Sequence, residues 1–320
     1  MAGSTIGGNT ATSSDYTEYG LGGGIYNYGQ LEITNSTIVT NTAMSAPDPQ
    51  GQRQGNGGGI ENDGTAVVIT NSTVAYNYAF FGGGGVETLA GQVQVESTII
   101  AENFAPAHQD VSGSFTSAGF NLIGATDNNG FTTTADLTGT AASLLNPKLD
   151  NQLADNGGPT RTVALLCNSP AIDRGTSNGL TGAPTTDQRG TGFSRTVNDS
   201  SIPNPDDGTD IGAFEYGAGI TASSAVSRKY HGASSPAPHF EIPLPPSCNS
   251  TGIESRRNTG ADTTGPNVGH DHEIVVTFPS KATVGSAYVV DVNVGNDAGT
   301  ATFSVSGNVV TVDLHGFRSI

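Results

Sequence analysis

Glu61 and Glu87 are the carboxylates whose spacing could do chemistry. Each directly follows the aliphatic residue that opens a repeated segment, Ile60 in one and Val86 in the next. If equivalent residues of successive repeats stack, the two carboxylates lie within about 5 Å of one another, the spacing of neighbouring strands. A glycosidase needs two carboxylates converging at roughly 5–10 Å, one to protonate the leaving group and one to act as nucleophile or base. The row is incomplete, because Tyr26 holds the same position one repeat earlier. A polysaccharide lyase needs a cation, as base or charge clamp, beside an acidic Ca²⁺ site. Residues 1–147 offer only Arg53 for that task, and it falls in an insertion. No complete catalytic set emerges, and Glu61 and Glu87 are the candidates that remain.

Other chemistry-bearing residues are scattered. Asp206, Asp207 and Asp210 place three carboxylates on one short loop, and hard oxygen ligands suit Ca²⁺. The loop lacks the spacing of an EF-hand, so a solvated acidic loop stands beside the Ca²⁺ reading, and no other cofactor is implied. His270-Asp271-His272 would set two imidazoles on one face of a strand without an evident third ligand. Asp173, Arg174, Asp187 and Arg189 read as ion pairs holding irregular backbone. Cys167 and Cys248 are the only cysteines, 81 residues apart, and could pair in an oxidising compartment. Asn9, Asn41, Asn77 and Asn103 occupy one repeat position, and stacked amides there would form a hydrogen-bonded ladder.

The elements that would position these residues follow from the repeat itself. Gly22 to Ala43, Gly57 to Ala79 and Gly83 to Ala105 each open with glycines and an aliphatic residue (Ile25, Ile60, Val86) and close on Asn-x-Ala. A partial copy lies at Ser4 to Ala11. Within each copy apolar residues alternate, as at Leu31 and Ile33, Val67 and Ile69, Val93 and Val95. That period-two pattern describes short strands with one face inward. Ile60 and Val86 are 26 residues apart and Ile25 and Ile60 are 35, the excess falling in the Pro/Gln/Gly-rich run Met44–Asn56. Three short strands per 20–26 residues is one coil of a parallel β-helix. Asn35-Ser36-Thr37 and Asn71-Ser72-Thr73 match the glycosylation sequon, but they share one repeat position and read as fold. Thr37 and Thr73 align as an ice-binding face would require, but Ile99 breaks the row.

The glycine triplet resembles the repeat of bacterial polymorphic outer-membrane proteins. A more specific resemblance follows over Leu145-Asn146-Pro147, Leu153-Ala154-Asp155-Asn156-Gly157-Gly158-Pro159, Ser169-Pro170-Ala171-Ile172-Asp173-Arg174-Gly175, Thr186-Asp187-Gln188-Arg189-Gly190 and Asp210-Ile211-Gly212-Ala213-Phe214-Glu215. This ordered set resembles the C-terminal part of "choice-of-anchor" right-handed parallel β-helix proteins of bacteria. The resemblance spans roughly residues 1–217. It implies secretion or attachment at the cell surface or outer membrane, and it carries no catalytic residues.

Composition agrees with an extracellular all-β repeat protein: 45 glycines in 320 residues, 13% charged residues and no tryptophan. Net charge is −17, which repels nucleic acid and anionic membrane surfaces. No apolar run approaches the roughly 20 residues of a membrane-spanning helix. Met1-Ala2-Gly3 runs straight into a repeat, so the chain is expected to be a piece of a longer protein that carries its secretion signal elsewhere.

The expected architecture is all-β. β-Helix coils fill 1–143, an irregular segment capping the helix end fills 144–217, and a Pro/Ser/Gly-rich linker fills 218–269. A partial immunoglobulin-like β-sandwich fills 270–320. The expected function is that of a non-enzymatic, monomeric adhesive rod. Its loops Asp15–Leu21 and Met44–Asn56 would contact glycans or surface proteins. The alternative is a polysaccharide-active β-helix enzyme of hydrolase or lyase type.

Overall fold

The computed structural model describes residues 1–126, 130–178, 184–200, 202–217, 224–230, 239–244, 272–277, 300–307 and 309–315. The chain divides into two compact units, Met1–Gly219 and Ile220–Ile320. Among the described residues every regular element is a β-strand.

In the first unit each sheet is built from equivalent segments of successive repeats, paired in parallel. A six-stranded sheet runs Thr5–Gly7, Thr37–Val39, Thr73–Ala75, Ile99–Ala101, Leu122–Ile123 and Leu137–Thr138 in sequence order. A four-stranded sheet holds Gln30–Thr34, Ala66–Thr70, Gln92–Glu96 and Phe115–Gly119. Another holds Ile25–Asn27, Ile60–Asn62, Val86–Thr88 and Val111–Ser112. Thr10–Ser13, Thr42–Ser45 and Tyr78–Ala79 form a three-stranded sheet, and Gly20–Leu21 pairs with Gly55–Asn56. Each full repeat therefore carries more strands than the three expected. Register is vertical: Ile25 pairs with Ile60, Ile60 with Val86 and Val86 with Val111.

That register stacks like on like, which is what fills the interior. Ile38, Val74, Ile100 and Ile123 of the six-stranded sheet meet Ile33, Val67, Ile69, Val93 and Val95 of one four-stranded sheet and Ile60, Val86 and Val111 of the other. All are essentially unexposed. Each such side chain contributes about 1.5–3 kcal/mol by leaving water. The corner between the first two of these sheets sits at left-handed φ: Asn35 (46°), Asn71 (48°), Ser97 (47°) and Phe120 (59°). Asn tolerates that conformation better than most residues. The geometry gives the two sequon asparagines a backbone role, as Asn71 is fully buried.

Three polar ladders tie the repeats together. The Asn9 side-chain amide donates to Asn41 Oδ1 (3.0 Å), Asn41 to Asn77 (2.9 Å), Asn77 to Asn103 (2.9 Å) and Asn103 to Asp110 (3.0 Å). Each Oδ1 also accepts the backbone N–H of the residue before it in the series. A second ladder runs from backbone amides to hydroxyls, Ser4 to Ser36, Ser36 to Ser72 and Ser72 to Thr98, and then from the Thr98 amide to Asn121 Oδ1. A third, shorter one joins Asn27 to Asn62 (2.7 Å) and Asn62 to Thr88 (3.3 Å).

Segment 147–216 does not sit where sequence alone places it, over an end of the stack. It lies along the outer face of the six-stranded sheet. There Leu149, Val163, Leu165, Ala171, Ile172 and Ile211 pack on Val39, Ala75, Ile99, Ala101 and Leu122. Polar contacts reach four repeats: Gln188 binds Thr5 and Thr37, the Ala213 amide donates to Thr73 Oγ1, and the Gly212 amide donates to the Ser97 carbonyl. The sheet is thus buried on both faces, and apolar residues at Ile99 and Leu122 need that second cover. The Thr37–Thr73 row is buried beneath it as well, so it offers no flat face to ice.

The second unit is described only by its strands. His239–Leu244, Ser224–Tyr230, His272–Thr277, Val309–His315 and Thr300–Ser306 form one antiparallel sheet in that order. Two of these strands lie within 218–269, so that stretch is not wholly a linker. Pro243 misleads there: it sits on an edge strand, where a missing N–H costs no ladder bond. The described strands make one sheet and not two. Ala287–Val294, whose alternating valines read as a further strand of the sandwich, lies outside the described residues. Ser306 pairs with Val309 at the end of the last hairpin, with Gly307 at a φ of 62°.

Asn77→Ala removes two donated bonds, to Ile38 O and Asn103 Oδ1, and strips the acceptor from Asn41. The expected loss is roughly 3 kcal/mol by urea denaturation, since buried donors are left unmet. Asn9→Ala at the exposed end of the ladder should cost only about 1 kcal/mol. Equal losses at the two positions would show that the ladder does not act through buried satisfaction.

Candidate functional site

Glu61 and Glu87 lie in direct register on neighbouring parallel strands, between Tyr26 on one side and Ser112 on the other. They alternate with Ile60 and Val86 and so point away from the apolar interior. Even so they are covered: Glu61 is 0% exposed and Glu87 8%. The cover is the glycine-rich segment that opens each repeat. A Cβ at Gly57 would stand 2.7 Å from Glu61 Cβ, and one at Gly83 only 2.6 Å from Glu87 Cβ, so only glycine lets the chain lie this close. The row beside the carboxylates is Leu21, Asn56, Gly82 and Ala107. Asn56 is itself 9% exposed.

Neither Glu61 oxygen has a hydrogen-bond partner, nor do Glu87 Oε2 and Asn56 Oδ1. Burial pushes the Glu61 carboxyl up to about 8, and the charges of Glu87 and Asp63 add to the rise. Burial also raises Glu87, while the Ser112 hydroxyl and the charge of His108 pull the other way. Tyr26, whose hydroxyl donates to Asp63 at 3.1 Å, completes the charged surroundings. A glycosidic bond cannot reach a carboxylate with no exposed surface, so this pair does not form the open cleft that hydrolysis requires.

The structure does not assemble Asp206, Asp207 and Asp210 into one site. Asp206 accepts from the Thr176 hydroxyl (2.6 Å), and Asp207 accepts from the amide and hydroxyl of Ser177. Burial raises the Asp207 carboxyl, but bonds from Ser177 and Thr209 outweigh that, leaving it below the usual range. Asp210 is fully buried and accepts from the amides of Asp173 and Tyr216. Among the described residues no three His, Cys, Asp or Glu side chains lie together as a metal would need. His270, Asp271 and Cys248 lie outside the described residues, while Cys167 contacts the Tyr216 hydroxyl at 3.2 Å.

Of the expected ion pairs, Arg189 does bind Asp187 (2.6 Å), and its guanidinium lies between the rings of Phe193 and Phe214 at 4.1 and 3.9 Å. Asp173 instead accepts the Asp199 amide. Arg195 is a cation that sequence reasoning missed. It is buried, donates to the carbonyls of Asp210 and Gly212, and lies 4.0 Å from Glu215. Burial raises both Asp210 and Glu215, and Arg195 opposes this. These groups fix irregular backbone and are buried, although Arg195 Nε and Nη1 and Asp173 Oδ1 make no hydrogen bond. An open depression of about 500 Å³ lies beside Gly3, Asn35, Pro159 and Gln188; there the Gln188 amide and the Asn35 side-chain nitrogen are bonded within the fold, and Asn35 Oδ1 has no partner.

The exposed surface offers something different. Tyr19 meets Phe81 edge-on at 5.5 Å, Tyr78 meets Phe80 at 4.7 Å, and Tyr78 stacks on Phe104 at 5.0 Å. Phe81 and Phe104 are 52% and 53% exposed. The Phe81 amide donates to Gly55 O, and Gly20 pairs with Gly55. The ends of the 15–21 and 44–56 segments therefore converge on the Tyr19–Phe81 pair. Comparison with protein-family models, curated proteins and solved structures finds no match.

Because Glu61 binds its proton more tightly folded than unfolded, its stabilising contribution is complete below pH 4.5, the ordinary value, and is lost as pH rises through about 8. In chelator, the melting temperature should fall between pH 5 and 9, and Glu61→Gln should flatten that fall. Asp110, pushed up to about 7 by burial, contributes in the same direction. A variant whose profile parallels the parent across the whole range would show that Glu61 titrates normally.

Proposed function

We propose that the stacked sheets are successive turns of a right-handed parallel β-helix, and that the chain is a non-enzymatic rod of the bacterial cell surface or extracellular space. In this reading it belongs with the choice-of-anchor proteins it resembles, and the C-terminal strands belong to an immunoglobulin-like module. The rod contacts glycans or other surface molecules through the loops within 15–21 and 44–56. The observation that carries this is the aromatic cluster where those segments meet. Exposed rings, Tyr19 with Phe81 and separately Phe104 stacked on Tyr78, present flat apolar faces of the kind sugar rings stack against, and such aromatics dominate the energetics of contact patches. The acidic balance, with Arg53 the only cation in residues 1–147, favours a neutral or basic partner. The burial of Glu61 and Glu87 counts against the polysaccharide-hydrolase alternative.

Glycan-array and cell-binding measurements test the reading. Phe81→Ala with Phe104→Ala should weaken binding by roughly tenfold or more. Shortening 47–52, which spares the strands on either side, should weaken it as well. Unchanged binding in both variants removes the contact surface, and release of reducing ends from any polysaccharide restores the enzymatic alternative.

A further inference from the structure

The covered pocket at Glu61 and Glu87 is built for an ion. Two carboxylates stand one strand spacing apart, about 4.8 Å between backbones. Three buried side chains bring four oxygens with no partner: both of Glu61, Oε2 of Glu87 and Oδ1 of Asn56. Leaving buried acceptors unmet costs about 1–3 kcal/mol each, and more when they are charged. Gly82 keeps a place open beside two of them, Glu87 Oε2 and Asn56 Oδ1, with Glu61 in register on the strand next to Glu87. A Cβ there would stand 3.3 Å from Glu87 Oε2 and 3.9 Å from Asn56 Oδ1, with no other atom nearer than the Ala107 carbonyl oxygen at 3.9 Å. The three atoms nearest that position outside its own chain neighbours are all oxygens.

We propose that Glu61, Glu87 and Asn56 form a binding site for a single hard divalent cation of the Ca²⁺ type, seated beside Gly82. Two carboxylates, an amide oxygen and neighbouring backbone carbonyls or water supply the oxygen-only shell that such an ion takes. The three side chains offer no sulfur or imidazole nitrogen, and an all-oxygen donor set suits a hard cation better than a softer metal. Protons compete for the same oxygens, so affinity rises with pH. Asp63 adds negative charge to the site, Tyr26 lies beside Glu61 in the row, and His108 opposes the ion from the Glu87 side. Asn56 closes the 44–56 segment and Gly82 follows Phe81, so the ion would pin the base of the aromatic surface. The site itself stands whether or not that surface binds glycans.

The test is isothermal titration of the full chain with CaCl₂ at pH 8.5 and at pH 6, on the parent, Glu61→Gln and Gly82→Ala. The second variant keeps both carboxylates and places a methyl group in the open position. Its closest contact is the flexible end of Glu87, so the fold should accept it, and circular dichroism of each variant checks this. The expected result is one equivalent bound at pH 8.5, binding about tenfold or more weaker at pH 6, and a loss of at least about tenfold in each variant. No binding to the parent at pH 8.5 overturns the site and leaves Glu61 and Glu87 as a protonated pair. Undiminished binding in both variants also overturns it, by placing the ion elsewhere on the acidic surface.

Discussion

Parallel, in-register stacking constrains everything else in the first unit. When each strand pairs with its own counterpart one repeat away, a buried polar group has one place to find a partner: the same position in the next repeat. Asn41 and Asn77 show what that demands. Each amide is fully or almost fully buried, and each gives its N–H₂ to the next oxygen while accepting from the residue before it. An amide side chain that both donates and accepts can propagate such a chain indefinitely, which suits Asn to these positions where Asp or Lys could not continue it. In the serine series the backbone N–H carries the chain forward, and the Ser36 and Ser72 hydroxyls accept from the previous repeat while donating to Thr34 O and Thr70 O of their own. Buried polar atoms that would each cost free energy alone instead tie the repeats together.

The same constraint explains the glycines. Gly59 lies over Asn77, and a Cβ there would meet the side-chain nitrogen at 3.0 Å and the Gly85 carbonyl at 2.5 Å. Gly24 and Gly85 stand in the same relation to Asn41 and Asn103. The glycine triplet is thus needed by the ladder as much as by the turn. One repeat later the equivalent residue is Asp110. Its side chain fills the space the glycine leaves, and its carboxylate takes the place of the next asparagine.

Much of this was legible from residue types. The apolar alternation at Val67 and Ile69 gave the inward face, and the spaced asparagines pointed to a ladder. The hydroxyl series Ser36, Ser72 and Thr98 was equally visible, since all three share a repeat position, but two of its members were masked by lying inside the sequons. What could not be read is whatever depends on contacts far apart in sequence. Segment 147–216 has turn residues and short motifs but no period, so nothing in it announces that it lies along a face. Only the apolar pair Ile99 and Leu122, in a row begun by Thr5, Thr37 and Thr73, hinted that the outer side needed cover. Asn56 has no counterpart in the other repeats, Leu21 and Gly82 standing in its column, so repeat logic passed over it. The burial of Glu61 was invisible for a related reason. An outward-pointing strand position is normally solvated, and here a glycine strand folds over it.

The direction of the ladders determines what can end them. In the asparagine and serine ladders the donors point toward later repeats, so the last member must accept without needing to donate. A carboxylate meets that requirement, and both end on one: Asn103 donates to Asp110, and Asn121 donates to Asp136 through its backbone and side-chain nitrogens. The two termini differ in cost. Asp136 also receives the Ser117 hydroxyl and the Thr133 amide, whereas Asp110 is fully buried. At Asp110 desolvation exceeds the stabilisation from Asn103, which is why its carboxyl rises to about 7 even though it stands at the donor end of a column of aligned amides. Local hydrogen bonds settle where an acid can stand in this stack, and burial settles how much of the time it is charged.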